Sequence, residues 1–236
     1  MTGTTGDPRA QTQVLEGLAT AVNHRRWFVE LALPYLGDDP VEIGSGLGDY
    51  ALAWASHVPH FTATEADPER LLTLKGRLAG QANIDVVEML LPADVDGEHS
   101  AAVAYNVLEH IHDHVSALRS MARLVRRGGA VVLIVPAFEF AMSRVDVATG
   151  HVRRYTKGSM RDALAAAGLR IERLHYANAL GLVGYYAATS VFGLMPREGP
   201  MVKLYDRLVL PVTKAAESVV RPPFGQSVFA VARVGC

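Results

Sequence analysis

The feature that most constrains the fold is a glycine-rich loop that follows a short apolar strand. It reads Val41-Glu42-Ile43-Gly44-Ser45-Gly46-Leu47-Gly48, with its three glycines two residues apart. Glycine permits a tight turn and lets a ligand lie directly against the backbone. The dinucleotide pattern G-x-G-x-x-G fails, because its last glycine would be residue 49, which is Asp49. Glu42 would also repel a pyrophosphate, whereas it suits a cationic amino-acid ligand.

Short apolar runs alternate with helical stretches on either side of this loop. The strand candidates are residues 41–43, 61–64, 84–87, 101–105 and 130–135, and the helix candidates between them are 50–57, 68–78 and 114–125. This alternation is typical of a parallel sheet with crossover helices. Thr156 is a plausible N-cap for a further helix over 157–167, and strand-like runs at 169–174 and 227–234 are expected to pair and close the sheet.

The chain is expected to form one domain over residues 1–236 with four additions to the sheet. Residues 1–13 are polar and are expected to be a disordered tail, and 14–37 a helical cap. The segments 138–156 and 178–224 are expected to be insertions on the substrate side. Residues 178–195 carry no charged side chain, and we interpret them as a buried helix, with a substrate-lining helix, a dimer interface or a membrane span as alternatives.

Charge and cysteine content exclude some classes of partner. The 23 Lys and Arg nearly balance the 24 Asp and Glu, so no general phosphate-binding surface is indicated and no nucleic acid is expected. Cys236 is the only cysteine, so no intrachain disulfide can form, which fits a reducing compartment. We therefore expect a soluble, cytoplasmic protein without a membrane span.

An acidic residue about 20 positions beyond the glycines completes a nucleotide-type site. Glu65 stands where an α/β fold places the acid that binds ribose hydroxyls. Asp67 is a second candidate, but Asp67-Pro68-Glu69 also has the pattern of a helix N-terminus, with cap, proline and acidic first turn. Glu65 is favoured as the ribose ligand, and the role of Asp67 stays open.

With these residues the sequence resembles the class I S-adenosylmethionine-dependent methyltransferases, which carry an acidic-x-G-x-G-x-G loop and a second-strand acid. Residues 106–111 (NVLEHI) resemble the family's segment after the fourth strand, and Arg127-Gly128-Gly129 its turn before the fifth. The resemblance implies an α/β, Rossmann-like, doubly wound, mostly parallel seven-stranded sheet with an antiparallel last strand. N-terminal and late helical additions would form a lid.

The sequence also resembles a narrower group of bacterial small-molecule methyltransferases of natural-product type. The matching segments are residues 23–27, Asp146 with residues 150–155 (GHVRRY), and residues 223–227 (PFGQS). This resemblance implies a small-molecule acceptor, a partly hydrophobic secondary metabolite in which O, N or C is methylated. A homodimer is left open.

The family resemblance assigns the cofactor, S-adenosylmethionine with S-adenosylhomocysteine as product, to a defined set of residues. Glu42, Gly44, Ser45, Gly46 and Gly48 would hold the methionyl part, Glu65, Ala66 and Asp67 the ribose and adenine side, Met89 within 88–90 the adenine, and Asn106 and Val107 the methyl-bearing end. Glu65 departs from the more usual Asp, and the end of the third strand lacks the common Gly-Asp pair, which puts the adenine contacts in doubt.

Candidates for acid–base chemistry and acceptor binding lie after the fourth and fifth strands. His110 and His151 are the candidate bases, because imidazole titrates near neutrality, and Tyr155 would orient an acceptor. Arg154 would bind a carboxylate, with a structural salt-bridged loop as the alternative. Trp27 and Asn178 are further candidate substrate contacts. No metal is expected, since His110 and His114 at helical spacing lack a further placed ligand.

Two competing functions are kept: an RNA or protein methyltransferase, and a non-catalytic methyltransferase-like binding module. A nicotinamide oxidoreductase should show G-x-G-x-x-G and lack an acid at the position of Glu42, and the sequence fails both tests.

Overall fold

The computed structural model describes residues 6–18, 21–188 and 200–235. Its helices are α1 (Pro8–Leu18), α2 (Val22–Leu36), α3 (Asp49–Ala55), α4 (Pro68–Leu78), α5 (His114–Leu124), α6 (Arg144–Thr149), α7 (Lys157–Ala166), α8 (Ala179–Tyr186), α9 (Pro200–Leu204) and α10 (Leu210–Val219). Its strands are β1 (Pro40–Ile43), β2 (Phe61–Glu65), β3 (Ile84–Glu88), β4 (His99–Tyr105), β5 (Val125–Pro136), β6 (Arg170–Ala177) and β7 (Ser227–Arg233).

The strands form one seven-stranded sheet in the order β3-β2-β1-β4-β5-β7-β6. The pairs from β3 to β5 are parallel, and β7 runs antiparallel to both β5 and β6. The order reverses between β1 and β4, where open α/β sheets bind their ligands. The predicted fold, a mostly parallel doubly wound sheet with an antiparallel last strand, is confirmed.

Helices cover both faces of the sheet and enclose two apolar clusters. One cluster joins α5 and α7 to the sheet around Met121, Leu133 and Met160. The other joins α2, α3 and α4 to the opposite face around Phe28, Trp54 and Leu74. The central strands are therefore buried on both sides, which accounts for their nearly continuous apolar sequences.

Two helix starts predicted from sequence are built as expected. The Asp67 side chain accepts a hydrogen bond of 2.9 Å from Arg70 N, and Pro68 follows at the first helical position of α4. Thr156 and Ser159 form a capping box at the start of α7, in which each side chain bonds the other residue's backbone N–H. Both helices begin where the sequence pattern places them, because capping depends on neighbouring residues only.

Two expectations about the flanking segments are wrong. Residues 8–13 are the first turns of α1, so the disordered tail predicted for 1–13 fails there, and residues 1–5 lie outside the described part. The uncharged stretch 178–195 is described only to residue 188, and its helix α8 buries one face. Leu182 is buried, whereas Val183 is 56% exposed. Within the described residues no helix has both the length and the apolar character that crossing a bilayer requires.

Two carboxylates that follow α9 in the sequence cap the N-terminal ends of α2 and α8. Asp206 accepts hydrogen bonds of 3.0 and 2.9 Å from the backbone N–H groups of Asn23 and His24 at the start of α2. Glu217 accepts 3.1 and 2.8 Å bonds from Asn178 N and Ala179 N at the start of α8. Each carboxylate satisfies N–H groups that lack a partner inside their own helix and meets the positive end of the helix dipole.

Candidate functional site

The glycine loop lies at the carboxyl end of β1 and touches the loop that follows β4. Gly44, Gly46 and Gly48 have φ of +69°, +56° and +83°, values that favour glycine. A Cβ placed on Gly44 would lie 2.7 Å from Cγ2 of Val107. The backbone at Gly44 can therefore approach Val107 only because it carries no side chain, and this contact joins two of the segments predicted to hold the cofactor.

Hydrogen bonds fix the glycine loop to the neighbouring strand β2. Ser45 N donates to Thr64 O at 2.6 Å, and Ser45 Oγ accepts from Thr64 N at 3.2 Å. Thr64 Oγ1 donates to the carbonyl of Glu42 at 2.8 Å. The predicted loop residue Ser45 thus uses its backbone and side chain to hold the loop in position.

Glu42 is a buried carboxyl group with an unsatisfied oxygen. It is 3% exposed, and its Oε2 has no hydrogen-bond partner in the part of the chain that the structure describes. Burial raises the pKa of Glu42 to about 8, hydrogen bonding from Ser45 opposes the rise, and the charges of Glu65 and Asp49 add to it. A cationic group beside this oxygen would supply the missing donor and the opposite charge, so the residues present fit the methionyl end of the expected cofactor.

Glu65 is engaged on both carboxylate oxygens. Its Oε2 accepts from Gly46 N at 3.0 Å, and its Oε1 accepts from Ala66 N at 3.0 Å, Asp67 N at 2.9 Å and Arg70 Nη2 at 3.1 Å. Two carboxylate oxygens offer about four acceptor positions. Oε1 has no acceptor position left, whereas Oε2 retains one acceptor position. Asp67, the second ribose candidate, uses Oδ1 to cap α4.

The remaining predicted cofactor residues surround Glu65 from the next strands. Met89 follows β3, and its N–H donates to Glu65 O at 3.2 Å. Asn106 is exposed, has a φ of +54°, and donates its N–H to Ile134 O at 2.8 Å. These contacts fix Met89 beside the end of β2 and Asn106 beside β5 at the same edge of the sheet.

Helix α1 lies over this edge, and it begins at Pro8, inside the segment that the sequence was expected to leave as a tail. A Cβ on Gly46 would meet Leu15 Cδ1 at 3.0 Å, so α1 packs directly on the glycine loop. At its other end, Gln11 Nε2 donates to Thr149 O at 2.8 Å, and Asp7 N donates to Ala148 O at 3.2 Å. The helix therefore connects the loop after β1 with α6.

A second cluster of polar side chains lies beside the expected cofactor site. It comes from the loops after β4 and β5. The His110 and His151 rings are 4.7 Å apart between centroids, and His151 Nε2 lies 3.9 Å from Glu109 Oε1. Burial lowers the pKa of His110 to about 4, with further lowering by the charges of His151 and Arg70. The influence of Arg70, which also binds Glu65, links this cluster to the ribose side of the site.

His151 is held by Asp146. Nδ1 of His151 lies 2.7 Å from Asp146 Oδ1, in a short contact that is bent, since the ring N–H does not point straight at the oxygen. Burial acts to raise the pKa of Asp146, but the hydrogen bond with His151 and the charge of Arg154 outweigh it and hold that pKa well below its usual range. Two of the predicted catalytic residues, His110 and His151, are thus brought together.

Arg154 forms a structural ion pair, so its predicted role as a carboxylate-binding residue for the substrate is corrected. Its Nη2 lies 2.8 and 3.0 Å from the two oxygens of Asp146, its Nε donates to Oδ1 at 3.1 Å, and its Nη1 donates to Ala137 O at 3.1 Å. The side chain is 4% exposed. The alternative of a salt-bridged loop describes this arrangement.

Tyr155 and Asn178 also have structural partners. Tyr155 is 1% exposed, and its hydroxyl bonds His114 Nδ1 at 2.8 Å, so it does not join His110 and His151. Asn178, 1% exposed with φ +63°, accepts from Gly181 N and Tyr205 OH and donates to Gln226 Oε1. The side chain of Asn178 holds three segments together, and its role as a substrate contact stays a prediction.

Trp27 lies in the core rather than in the polar site. It is 5% exposed and packs edge-on against Phe28, with ring centroids 5.8 Å apart. The motif around it has a structural explanation in the capping of α2 by Asp206. Its role as a substrate contact stays a prediction without a supporting contact.

Sequence reasoning missed Glu109 and Arg70 as members of the site. Glu109 is 0% exposed and neither carboxylate oxygen has a hydrogen-bond partner among the described residues, while burial raises its pKa to about 7. It stands inside the NVLEHI segment, which was a visible signal. Arg70 gave no comparable signal, because its place in the site depends on the pairing of α4 with Glu65.

Comparison with family models gives one result that covers most of the chain. A model described as a methyltransferase domain matches residues 26–174. The matched region spans α2 to β6 and so includes the glycine loop, Glu65 and the Glu109–His110–His151 cluster. No curated protein is significantly similar to the chain.

Solved structures share the fold at low sequence identity. The chain accompanying the Trm112 methyltransferase activator in a Haloferax volcanii complex has a TM-score of 0.64 and 15% identity, over 98% of this chain and 95% of that one. The [4+2]-cyclase SpnF has a TM-score of 0.60 and 16% identity, over 99% of both chains. Geranyl diphosphate methyltransferase in complex with S-adenosylmethionine has a TM-score of 0.63 and 13% identity, over 87% and 84%.

Proposed function

The chain belongs to the methyltransferase-domain family and is a class I methyltransferase that uses S-adenosylmethionine, and from this premise we propose that it methylates a small molecule at the edge of the sheet where β1, β2 and β4 end. The single observation that carries the placement of the donor is the buried, unsatisfied Oε2 of Glu42 beside the glycine loop. A ligand with a cationic amino group satisfies it, and a dinucleotide pyrophosphate does not.

The donor would lie along the loop with its methionyl end at Glu42 and its ribose at Glu65. Because only Oε2 of Glu65 has an acceptor position left, we expect Glu65 to accept one ribose hydroxyl rather than both. Met89 would flank the adenine, and Asn106 and Val107 the methyl-bearing end. The close approach of Gly44 to Val107 supports this assignment, because it brings the loop after β4 against the glycine loop.

The acceptor would approach from the cluster of Glu109, His110 and His151. A sulfonium methyl is already activated, so the main task of the protein is to hold the acceptor atom in line with the C–S bond and to exclude water. The helix α1 over the glycine loop would help to exclude water. The cluster would hold the reacting group of the acceptor, and one of its two histidines would accept the proton where that group carries one.

A row of aromatic rings at the same edge supports an acceptor with an apolar part. Phe138 stacks on Tyr176 at 4.9 Å and on Phe140 at 5.3 Å, and Phe140 meets Tyr186 edge-on at 5.6 Å between ring centroids. Phe140 is 62% exposed and Tyr186 is 40% exposed. Exposed aromatic surface beside a polar cluster fits a partly hydrophobic metabolite of the secondary-metabolite type. The near-neutral charge is a further argument against a nucleic-acid acceptor.

Two structural relatives motivate alternatives. One is a chain solved with the activator Trm112, which makes activity in complex with a protein partner the second candidate. The other, SpnF, is described as a [4+2]-cyclase, so a methyltransferase fold alone does not establish methyl transfer. A chain that binds the donor and transfers no methyl group to any acceptor would support a non-catalytic or different activity.

Calorimetric titration with S-adenosylmethionine, S-adenosylhomocysteine and NADH tests the donor site. We expect the two methionine-derived ligands to bind and NADH not to bind. Glu42→Gln should weaken binding at least tenfold, because the amide cannot supply the negative charge. Glu98→Gln, an exposed carboxylate outside the site, should leave it unchanged. Absence of binding to the folded wild-type chain would refute the proposed site.

A further inference from the structure

Three side chains of metal-ligand type converge in the cluster after β4. Glu109 and His110 end the turn that follows Val107, and His151 comes from the loop after α6. One potential ligand atom from each lies within 4.8 Å of those of the other two. Around a tetrahedral ion with bonds of about 2.0–2.1 Å, ligand atoms lie about 3.4 Å from one another, so side-chain movements of about an ångström would complete such a site.

The carboxylate of Glu109 points to a missing cation. The residue is 0% exposed, and no other described residue donates a hydrogen bond to its Oε1 or Oε2. His151 Nε2 lies 3.9 Å from Oε1, beyond hydrogen-bonding distance. Burying a carboxylate without a partner is costly, and native proteins rarely leave one so unless an ion or a protonated form accounts for it.

The two histidines are oriented by groups outside the cluster. Asp146 Oδ1 lies 2.7 Å from Nδ1 of His151, which leaves Nε2 facing Glu109. Hydrogen bonding to the backbone of Gly150 and Thr149 engages the His110 ring. Metal-ligating histidines characteristically use one ring nitrogen for the ion and the other for a carboxylate or a backbone carbonyl. Asp146 is itself fixed by Arg154, so this outer support is rigid.

We propose that Glu109, His110 and His151 together bind one divalent transition-metal ion, with Asp146 orienting His151. Two imidazoles and one carboxylate favour Zn²⁺, Mn²⁺ or Fe²⁺ over Ca²⁺ and Mg²⁺, which prefer all-oxygen sites. Three protein ligands leave a coordination position for water or for an oxygen or nitrogen of the acceptor. The metal site itself does not depend on the proposed function. A role of the metal ion in binding the acceptor does rest on the proposed function. His151 then acts as a ligand rather than as a base.

Metal binding is measured on the untagged chain after treatment with chelator and desalting. Titration with ZnCl₂ should give one ion per chain, and Co²⁺ should give the intense visible absorption of a four-coordinate site. Glu109→Gln, which keeps the shape of the side chain, and His151→Ala should each weaken Zn²⁺ binding at least a hundredfold. His112→Ala, an exposed histidine close by in the sequence, is the matched control and should bind as the wild type does.

Two results would overturn the metal site: no stoichiometric Zn²⁺ or Co²⁺ binding by the folded wild type, or equal binding by Glu109→Gln and the wild type. Either result would leave a protonated Glu109 as the account of its burial. Titration with S-adenosylhomocysteine on the same samples separates the two proposals. Donor binding without metal binding refutes only the metal site, and metal binding without donor binding refutes only the proposed donor site.

Discussion

At the scale of single residues, the site differs from the surrounding core in leaving acidic groups incompletely satisfied. Glu42 and Glu109 are both buried, and both have carboxylate oxygens that lack hydrogen-bond partners within residues 6–18, 21–188 and 200–235. By contrast, Asp146 and Arg154 satisfy each other through several short contacts. Stability alone favours paired side chains such as Asp146 and Arg154. The unpartnered carboxylates of Glu42 and Glu109 therefore indicate positions where a ligand completes the structure.

The raised pKa of Glu42 predicts how stability depends on pH. Between about 4.5, its ordinary pKa, and about 8, the folded chain retains a proton that the unfolded chain has lost. The free energy of unfolding should therefore fall as pH rises through this window, by up to about 1.4 kcal/mol per pH unit from this group. Glu42→Gln should remove that contribution, so its urea-unfolding free energy should fall less steeply between pH 5 and 8.

Two comparisons check this assignment. Glu98→Gln should keep the wild-type slope, since that carboxylate is exposed. Calorimetry of donor binding in buffers of different ionisation enthalpy should show release of up to one proton at pH 7 in the wild type and less in Glu42→Gln. Equal slopes for the wild type and Glu42→Gln would mean that Glu42 is ionised in the free fold.

At the scale of elements, the carboxylates of Asp206 and Glu217 stabilise two helices that begin earlier in the sequence, α2 and α8. α2 has no capping side chain of its own, and Asp206, which lies between α9 and α10, takes that place across the chain. α8 receives Glu217 in the same way, in addition to its own cap Asn178. Asp206 and Glu217 therefore help to determine where α2 and α8 begin.

Removing Asp206 should destabilise the fold. Asp206→Ala leaves the N–H groups of Asn23 and His24 without acceptors, which should cost about 1–3 kcal/mol of unfolding free energy. Chemical denaturation measures the loss. Asp162→Ala, an exposed aspartate on α7, should change stability by less than about 0.5 kcal/mol. Equal stability of the two variants would show that water replaces the cap at no cost.

At the scale of the whole molecule, the proposed donor site is assembled from segments far apart in sequence. The glycine loop, the ends of β2 and β3, the loop after β4 and the covering helix α1 all meet at one edge. Contacts from α1 to both Gly46 and Thr149 make that helix part of the enclosure.

Ligand binding should therefore protect these segments together. With S-adenosylhomocysteine at about a hundred times its dissociation constant, the free energy of unfolding should rise by about 2.7 kcal/mol. Hydrogen exchange should slow in residues 8–18, 44–48, 65–67 and 106–110 beyond this global effect. The helix α7, which packs on β6 and α5, is the internal control and should show no local protection. Unchanged exchange in α1 would show that it does not close over the donor.

The sequence by itself determined the features that depend on neighbouring residues. The order of strands and helices follows from hydrophobic periodicity, the caps at Asp67 and Thr156 from residues within one turn, and the glycine loop from backbone freedom. These interactions are local, so a linear pattern contains them. The bounds of α4 are those that the pattern predicted.

Only the tertiary structure decided which polar residues are free to act. Arg154 was a candidate for substrate binding until its distance to Asp146 was known, and the bonds of Asn178 to Tyr205 and Gln226 were not visible in the sequence. Glu109 stood in a recognised motif, yet its lack of a partner is a property of everything packed around it. A hydrogen bond between residues distant in sequence leaves no local pattern, so satisfied and unsatisfied polar groups look alike until the chain is folded.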